Sequence, residues 1–219
     1  METSGRSVRR IVYLHGFASG PTSKKAKFFR ERFAEAGVAL DIPDLAAGDF
    51  EHLTITGQLR VIDRAVDGAP AALIGSSLGG YLAAFYAAHH PNVEKLVLMA
   101  PAFDFATRFP QAVGEARMRQ WKRDGELPIF HYGEGRTVPL RYDLIEDAIQ
   151  YPAWPEFQQP ALLFHGKNDV PVPAANSIAY AKERGNVTLR LLESDHELID
   201  QLDLMWREAS GFLLGPKTV

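Results

Sequence analysis

Cysteine is missing altogether from the 219 residues. That excludes disulfides, thiolate nucleophiles and cysteine-ligated metals, and it is compatible with a reducing compartment. No stretch approaches the roughly 20 consecutive apolar residues of a membrane-spanning helix. The first apolar run, Ile11 to Leu14, is far too short for a signal-peptide core. An excess of positive charge is lacking too: 24 Lys and Arg face 27 Asp and Glu, a formal net charge of −3. The global basic field that nucleic-acid binding needs is therefore absent. Internal repeats, low-complexity tracts and linkers that would split the chain are likewise not found. With 46% hydrophobic residues, this length is enough for one sizeable core. The expectation is one domain over 1–219, cytoplasmic, with no membrane span.

Against these absences stands one informative stretch. Ala71-Ala72-Leu73-Ile74 runs into Gly75-Ser76-Ser77-Leu78-Gly79 and then into a helical pattern from Tyr81 to His90. An apolar strand, Gly-x-Ser-x-Gly and a helix form a sharp turn that holds an exposed serine in a strained conformation. The small residues let neighbouring backbone approach closely, and the helix N-terminus directs partial positive charge at Ser77. No phosphate-loop lysine follows, which speaks against a nucleotide-binding turn. Ser76 is a second hydroxyl, but only Ser77 lies centrally between the glycines.

Around this unit, strands and helices alternate. Strands are expected at Val8 to Leu14, Val38 to Ile42, before Ser77, at Leu96 to Ala100, Ala161 to Phe164 and Val187 to Leu192. Helices are expected at about 22–36, 54–66, 174–184 and at the C-terminal end, where Leu198, Leu202, Met205, Ala209 and Phe212 share a face. Near-continuous apolar strands separated by helices predict a mainly parallel six-stranded sheet with helices on both faces. The alternation breaks after Pro101. A helix near 111–123, a hairpin over about 129–140 around Gly133-Glu134-Gly135 and a short helix near 144–151 predict a small cap insertion at about 111–151.

Parallel sheets place their sites at strand C-termini, and three reactive groups fall there. Ser77 follows the third strand, Asp169 the fifth and His196 the last. A serine hydroxyl needs a base; an imidazole supplies one, and a buried carboxylate fixes its tautomer. The order Ser, Asp, His matches the α/β-hydrolases and differs from the two common serine-protease orders. Backbone N–H groups of Phe17 and Leu78 would form the oxyanion hole, and the Phe17 ring could wall an acyl pocket.

Other residues compete for these roles or have plainer ones. Asp104, just beyond the fourth strand, is the rival acid; Asp195 is the poorer choice because it adjoins His196. His15 and His165, each followed by glycine, read as hydrogen-bonders supporting their loops. His89 and His90 suit a helix C-terminus better than a metal site. Lys24, Lys25, Lys27, Arg30 and Arg32 read as a solvated helix face, with a phosphate-gripping role as the alternative. Phe103, Phe105, Phe109, Trp121, Ile129, Phe130 and Tyr132 read largely as core or cap packing, with two or three lining the acyl site.

Over nearly its whole length the chain resembles the α/β-hydrolase superfamily in a compact form. Tyr13-Leu14-His15-Gly16-Phe17-Ala18-Ser19-Gly20 together with Gly75 to Tyr81 resembles the small bacterial YqiA-type esterases. His165 to Val172 and Ser194 to Glu197 are similar to the superfamily's acid and base loops. The cap, with Trp121-Lys122-Arg123 and Tyr142, looks closer to the mitochondrial α/β-hydrolase-domain depalmitoylases. The resemblance implies hydrolysis of a small-molecule ester or thioester through an acyl-serine, with no cofactor and no metal. A carboxylesterase for small or medium acyl groups is the first expectation. A thioesterase on acyl-protein or acyl-CoA and a non-catalytic binding protein of the same fold are the alternatives.

Overall fold

The computed structural model describes residues 10–215. Six strands form one parallel sheet: β1 (Arg10–Leu14), β2 (Leu40–Asp41), β3 (Ala71–Ser76), β4 (Val93–Met99), β7 (Ala161–Gly166) and β8 (Val187–Leu192), in spatial order β2-β1-β3-β4-β7-β8. The expected six-stranded α/β-hydrolase sheet is therefore present. Val8 and Arg9 of the first expected strand lie outside the described residues.

Strand alternation divides the core into two layers. Ile11, Tyr13, Ala72, Ile74, Val97, Met99, Leu162 and Phe164 face one side, where α1 (Lys24–Glu35) and α8 (Leu202–Leu214) cover them. Val12, Leu14, Leu73, Leu96, Leu98 and Leu163 face the other, under α2 (Ile55–Val66), α3 (Leu78–His89) and α7 (Ala174–Lys182). Strands covered on both faces need apolar residues at consecutive positions, which is why they lack the polar–apolar alternation of a one-sided sheet. Ser23 and Thr54 start α1 and α2 by accepting hydrogen bonds from Ala26 N and Gly57 N.

From β1 the chain moves outward to β2 and returns across β1 to β3. Loops leaving β1 and β3 therefore diverge and open a crevice beyond their C-terminal ends. Gly16 and Phe17 follow β1, and Ser77 follows β3. Topology thus brings together the loops on which the sequence places its reactive groups.

Between β4 and β7 lie α4 (Phe105–Val113), α5 (Glu115–Asp124), the antiparallel pair β5 (Glu126–His131) and β6 (Arg136–Arg141), and α6 (Asp143–Ala148). The single helix expected near 111–123 is two helices. Pro110 leaves one helical carbonyl without its N–H donor, and Gly114 ends α4 at φ 88°. At the C-terminal end, Leu198 is buried but sits at φ 55° ahead of a short 3-10 turn, outside α8. Leu213 takes the fully buried position there, and Phe212 is only partly covered.

Candidate active site

Ser77 joins β3 to α3 with φ 53° and ψ −118°, a region that L-residues with a Cβ rarely occupy and that costs on the order of 1–3 kcal/mol. Close packing holds it there. A Cβ on Gly75 would lie 2.6 Å from Gly80 Cα, and one on Gly79 would lie 2.6 Å from the Leu14 carbonyl carbon. The β1 end therefore crosses directly over the first turn of α3, with no room for a side chain between them. The Ser77 amide donates to Met99 O at 2.9 Å, and its carbonyl accepts from Gly80, Tyr81 and Ala102. Main-chain bonds thus fix the turn and leave the hydroxyl for other partners.

His196 supplies that partner, with Nε2 3.0 Å from Ser77 Oγ. Its Nδ1 lies 2.7 Å from Asp169 Oδ2. With a carboxylate at Nδ1, that nitrogen carries the proton and Nε2 offers its lone pair to the serine. The histidine loop between β8 and α8 is shaped by Asp195, whose Oδ1 accepts from Glu197 N at 2.9 Å and Leu198 N at 3.3 Å. Asp195 therefore folds the loop rather than contacting the imidazole.

The Asp169 carboxylate is fully buried. Its Oδ1 accepts from Val172 N at 2.7 Å, and Oδ2 lies 3.1 Å from His165 Nε2. Burial alone would raise its pKa; the neighbouring His165 and His196, the charge of His196 and the Val172 N–H outweigh it, bringing the group from 3.8 down to about 2. The rival, Asp104, occupies a left-handed turn at the start of α4, φ 59°, with its amide bonded to Ala153 O. Its side chain forms no hydrogen bond with His196.

Phe17 lies three residues beyond the end of β1, and Leu78 directly follows Ser77. Neither backbone N–H enters a hydrogen bond among the described residues. The Phe17 ring packs against Phe50, Phe105 and Phe109 at centroid distances of 5.6, 6.4 and 5.1 Å. Just beyond, Ala18 has φ 51°, and its carbonyl accepts from Tyr132 N at the hairpin tip, 2.8 Å away. The inserted hairpin thus touches the loop that carries Phe17. His15 braces the same loop from below: Nδ1 donates to Gly16 O at 3.0 Å and Nε2 accepts from Leu45 N at 3.1 Å.

Several plainer expectations hold. His89 and His90 bond the helical carbonyls of Phe85 and Tyr86. Phe103, Phe105 and Trp121 are buried, with Phe109 and Ile129 half-buried against them. Phe130 and Tyr132 depart from this: they are 50% and 77% exposed. The alternation of β5 turns Leu127, Ile129 and His131 inward, so the two aromatics point outward as a T-shaped pair. Among the described residues, no group of three or more His, Asp or Glu could hold a metal ion, and no helix is long and apolar enough to cross a membrane.

Lys25 departs from its expected role on a solvated helix face. Its ammonium donates to Glu197 O at 2.7 Å, tying α1 to the His196 loop. Burial pushes its pKa down against the opposing charges of Glu197, Asp195 and Asp169. The sequence carried no signal for this contact, because 172 positions separate the two residues.

A parallel sheet wound this way, with a strained serine, a histidine and an aspartate at its strand ends, defines an α/β-hydrolase. The model of Uncharacterised protein family UPF0227 matches residues 10–208, and the chain belongs to that family, as its YqiA-like motifs imply. It is 27% identical over 213 residues to the bovine (Bos taurus) mitochondrial palmitoyl-protein thioesterase ABHD10, covering 89% of this chain and 69% of the relative. Bovine monoacylglycerol lipase ABHD6 is 25% identical over 177 residues, covering 74% of this chain and 49% of the relative. The chain thus spans only about half the length of that second relative. Among solved structures, Est1E from Butyrivibrio proteoclasticus with bound ferulic acid superposes with a TM-score of 0.78 at 22% identity, over 98% of this chain and 92% of that one. The likeness to Est1E shows the fold. Together the relatives make this a hydrolase-type enzyme whose homologues act on ester or thioester bonds.

Proposed function

We propose that the protein is a serine hydrolase cleaving carboxylic esters of small or medium acyl groups through an acyl-Ser77 intermediate. The observation that carries the reading is the continuous line from Ser77 Oγ to His196 Nε2, 3.0 Å, and from His196 Nδ1 to Asp169 Oδ2, 2.7 Å. His196 takes the Ser77 proton as Oγ attacks the carbonyl carbon, and Asp169 stabilises the resulting imidazolium. The tetrahedral oxyanion is held by the N–H groups of Phe17 and Leu78; each such donor typically contributes about 3 kcal/mol to the transition state. The imidazolium then protonates the leaving alcohol as the carbon–oxygen bond breaks. A water, deprotonated by the same histidine, attacks the acyl group and releases the acid with Ser77 restored. No cofactor is required at any step.

We assign the segment 111–151 the role of a cap that walls the acyl side, with Phe17 and the Phe105–Phe109 stack as its inner lining. A thioester leaving group is the second reading, favoured by the palmitoyl-protein thioesterase named in the ABHD10 relative. Two measurements test these assignments. A fluorophosphonate probe should form an adduct at Ser77 in the folded protein; no adduct would leave a non-catalytic protein of this fold. Hydrolysis of matched oxygen and thiol esters of one acyl group then separates esterase from thioesterase by the ratio of kcat/KM.

A further inference from the structure

His165 is completely buried at the end of β7, a costly place for an imidazole unless its nitrogens are engaged. Nε2 lies 2.7 Å from Val172 O and 3.1 Å from Asp169 Oδ2. Both neighbours are acceptors, so Nε2 carries a proton. The N–H points at the Val172 carbonyl, and the carboxylate oxygen sits beside that line. Nδ1 lies 2.7 Å from Ser177 Oγ on α7, which fixes the plane of the ring. Val172 closes a loop by donating its N–H to Asp169 Oδ1 at 2.7 Å. Oδ2 is therefore approached by two imidazoles, His165 from β7 and His196 from the loop after β8, at 3.1 and 2.7 Å.

We propose that His165 is a positioning residue for hydrolysis: its Nε2–H holds the Val172 carbonyl and so fixes the loop whose Val172 N–H orients the Asp169 carboxylate toward His196. One consequence follows for the reaction: the carboxylate cannot rotate away from His196 without giving up the Val172 N–H, which His165 holds in place. Of the other charged groups, Lys25 from α1 lies within electrostatic reach of Asp169, and Asp195 and Glu197 of the histidine loop face Lys25. None of the three hydrogen-bonds the Asp169 carboxylate, which Val172 N and His196 Nδ1 engage.

This inference rests on Ser77 acting as the nucleophile. The test compares His165→Gln with His165→Asn, two polar side chains of similar size. The longer Gln can bring an amide N–H to the Nε2 position; the shorter Asn reaches only the Nδ1 position, toward Ser177. Hydrolysis of p-nitrophenyl butyrate is followed from pH 5 to 9, with thermal melting and fluorophosphonate labelling of Ser77 in each variant. In His165→Asn, kcat should fall about ten- to a hundredfold, on the scale seen for outer partners of catalytic ligands. KM should change little. His165→Gln should recover most of kcat. Equal activity in both variants would overturn the proposal. So would a His165→Gln protein of wild-type stability and His165→Asn-like activity, and this outcome decides even if His165→Asn fails to fold. If wild-type protein itself fails to label at Ser77, the nucleophile assignment falls instead, which separates the two failures.

Discussion

Replacing Asp169 by Asn should abolish nearly all turnover while leaving the fold intact, for a reason the hydrogen bonds specify. Val172 N–H points at Oδ1 from 2.7 Å, so the amide oxygen of Asn must occupy that side. Its NH2 then takes the place of Oδ2, facing His196 Nδ1. A donor there inverts the tautomer: Nδ1 accepts, Nε2 carries the proton, and Ser77 loses its base. The same NH2 also lies beside His165 Nε2, 3.1 Å from that position, where the carboxylate had offered negative charge. Analogous triad changes lower kcat about 10⁴-fold, which corresponds to about 5 kcal/mol of transition-state stabilisation. The assay is kcat on p-nitrophenyl butyrate at pH 7.5 with Asp104→Asn in parallel; the latter should stay within threefold of wild type. A near-wild-type Asp169→Asn beside an inactive Asp104→Asn would refute the assignment of the acid. A thermodynamic signature accompanies this. The folded pKa of Asp169, about 2, lies below its ordinary 3.8. The charged carboxylate therefore stabilises the native state fully above about pH 4, and that contribution is lost as the pH falls through about 2. It amounts to about 2 kcal/mol, so urea unfolding of wild type, but not of Asp169→Asn, should show this added loss on acidification.

Three further outcomes are expected. Ser77→Gly should eliminate hydrolysis and fluorophosphonate labelling yet raise stability by about 1 kcal/mol, because glycine accepts φ 53° without strain; a drop in melting temperature would contradict the strained-turn account. Gly79→Ala should destabilise the protein by about 3 kcal/mol or prevent folding, since its methyl would lie 2.6 Å from the Leu14 carbonyl carbon with only backbone to give way; urea midpoints measure this. Lys25→Met should lower kcat about tenfold, the scale of one charge-assisted hydrogen bond, by releasing Glu197 O and loosening the His196 loop. Unchanged kcat in a folded Lys25→Met protein would remove Lys25 from the site's support.

The elements around Ser77 were legible because their determinants are local. The β3 strand, the glycine pair and α3 occupy consecutive residues, and the steric demands of a tight strand–helix turn narrow the choice at each position. Buried parallel strands require unbroken apolar runs, so the order of strands and the chain order of Ser77, Asp169 and His196 could be read directly. The segment after Pro101 was less legible. Gly114 divides the helix expected near 111–123, with α4 running through Pro110 to Val113 before it, and the phase of β5 decides that His131 turns inward while Phe130 turns out.

By itself, then, the sequence determined the α/β alternation, the strained serine turn and the candidate groups at strand ends, since each depends on residues close in the chain. It left Asp104 and Asp169 in competition, because both follow strands and propensity does not measure distance. Only the tertiary structure set Asp169 Oδ2 2.7 Å from His196, placed His165 on the Val172 carbonyl beside that oxygen and drew Lys25 from α1 to the His196 loop. These contacts join segments that meet only once helices cover both faces of the sheet. Their directions come from backbone turns and burial, and the residue types alone do not encode them.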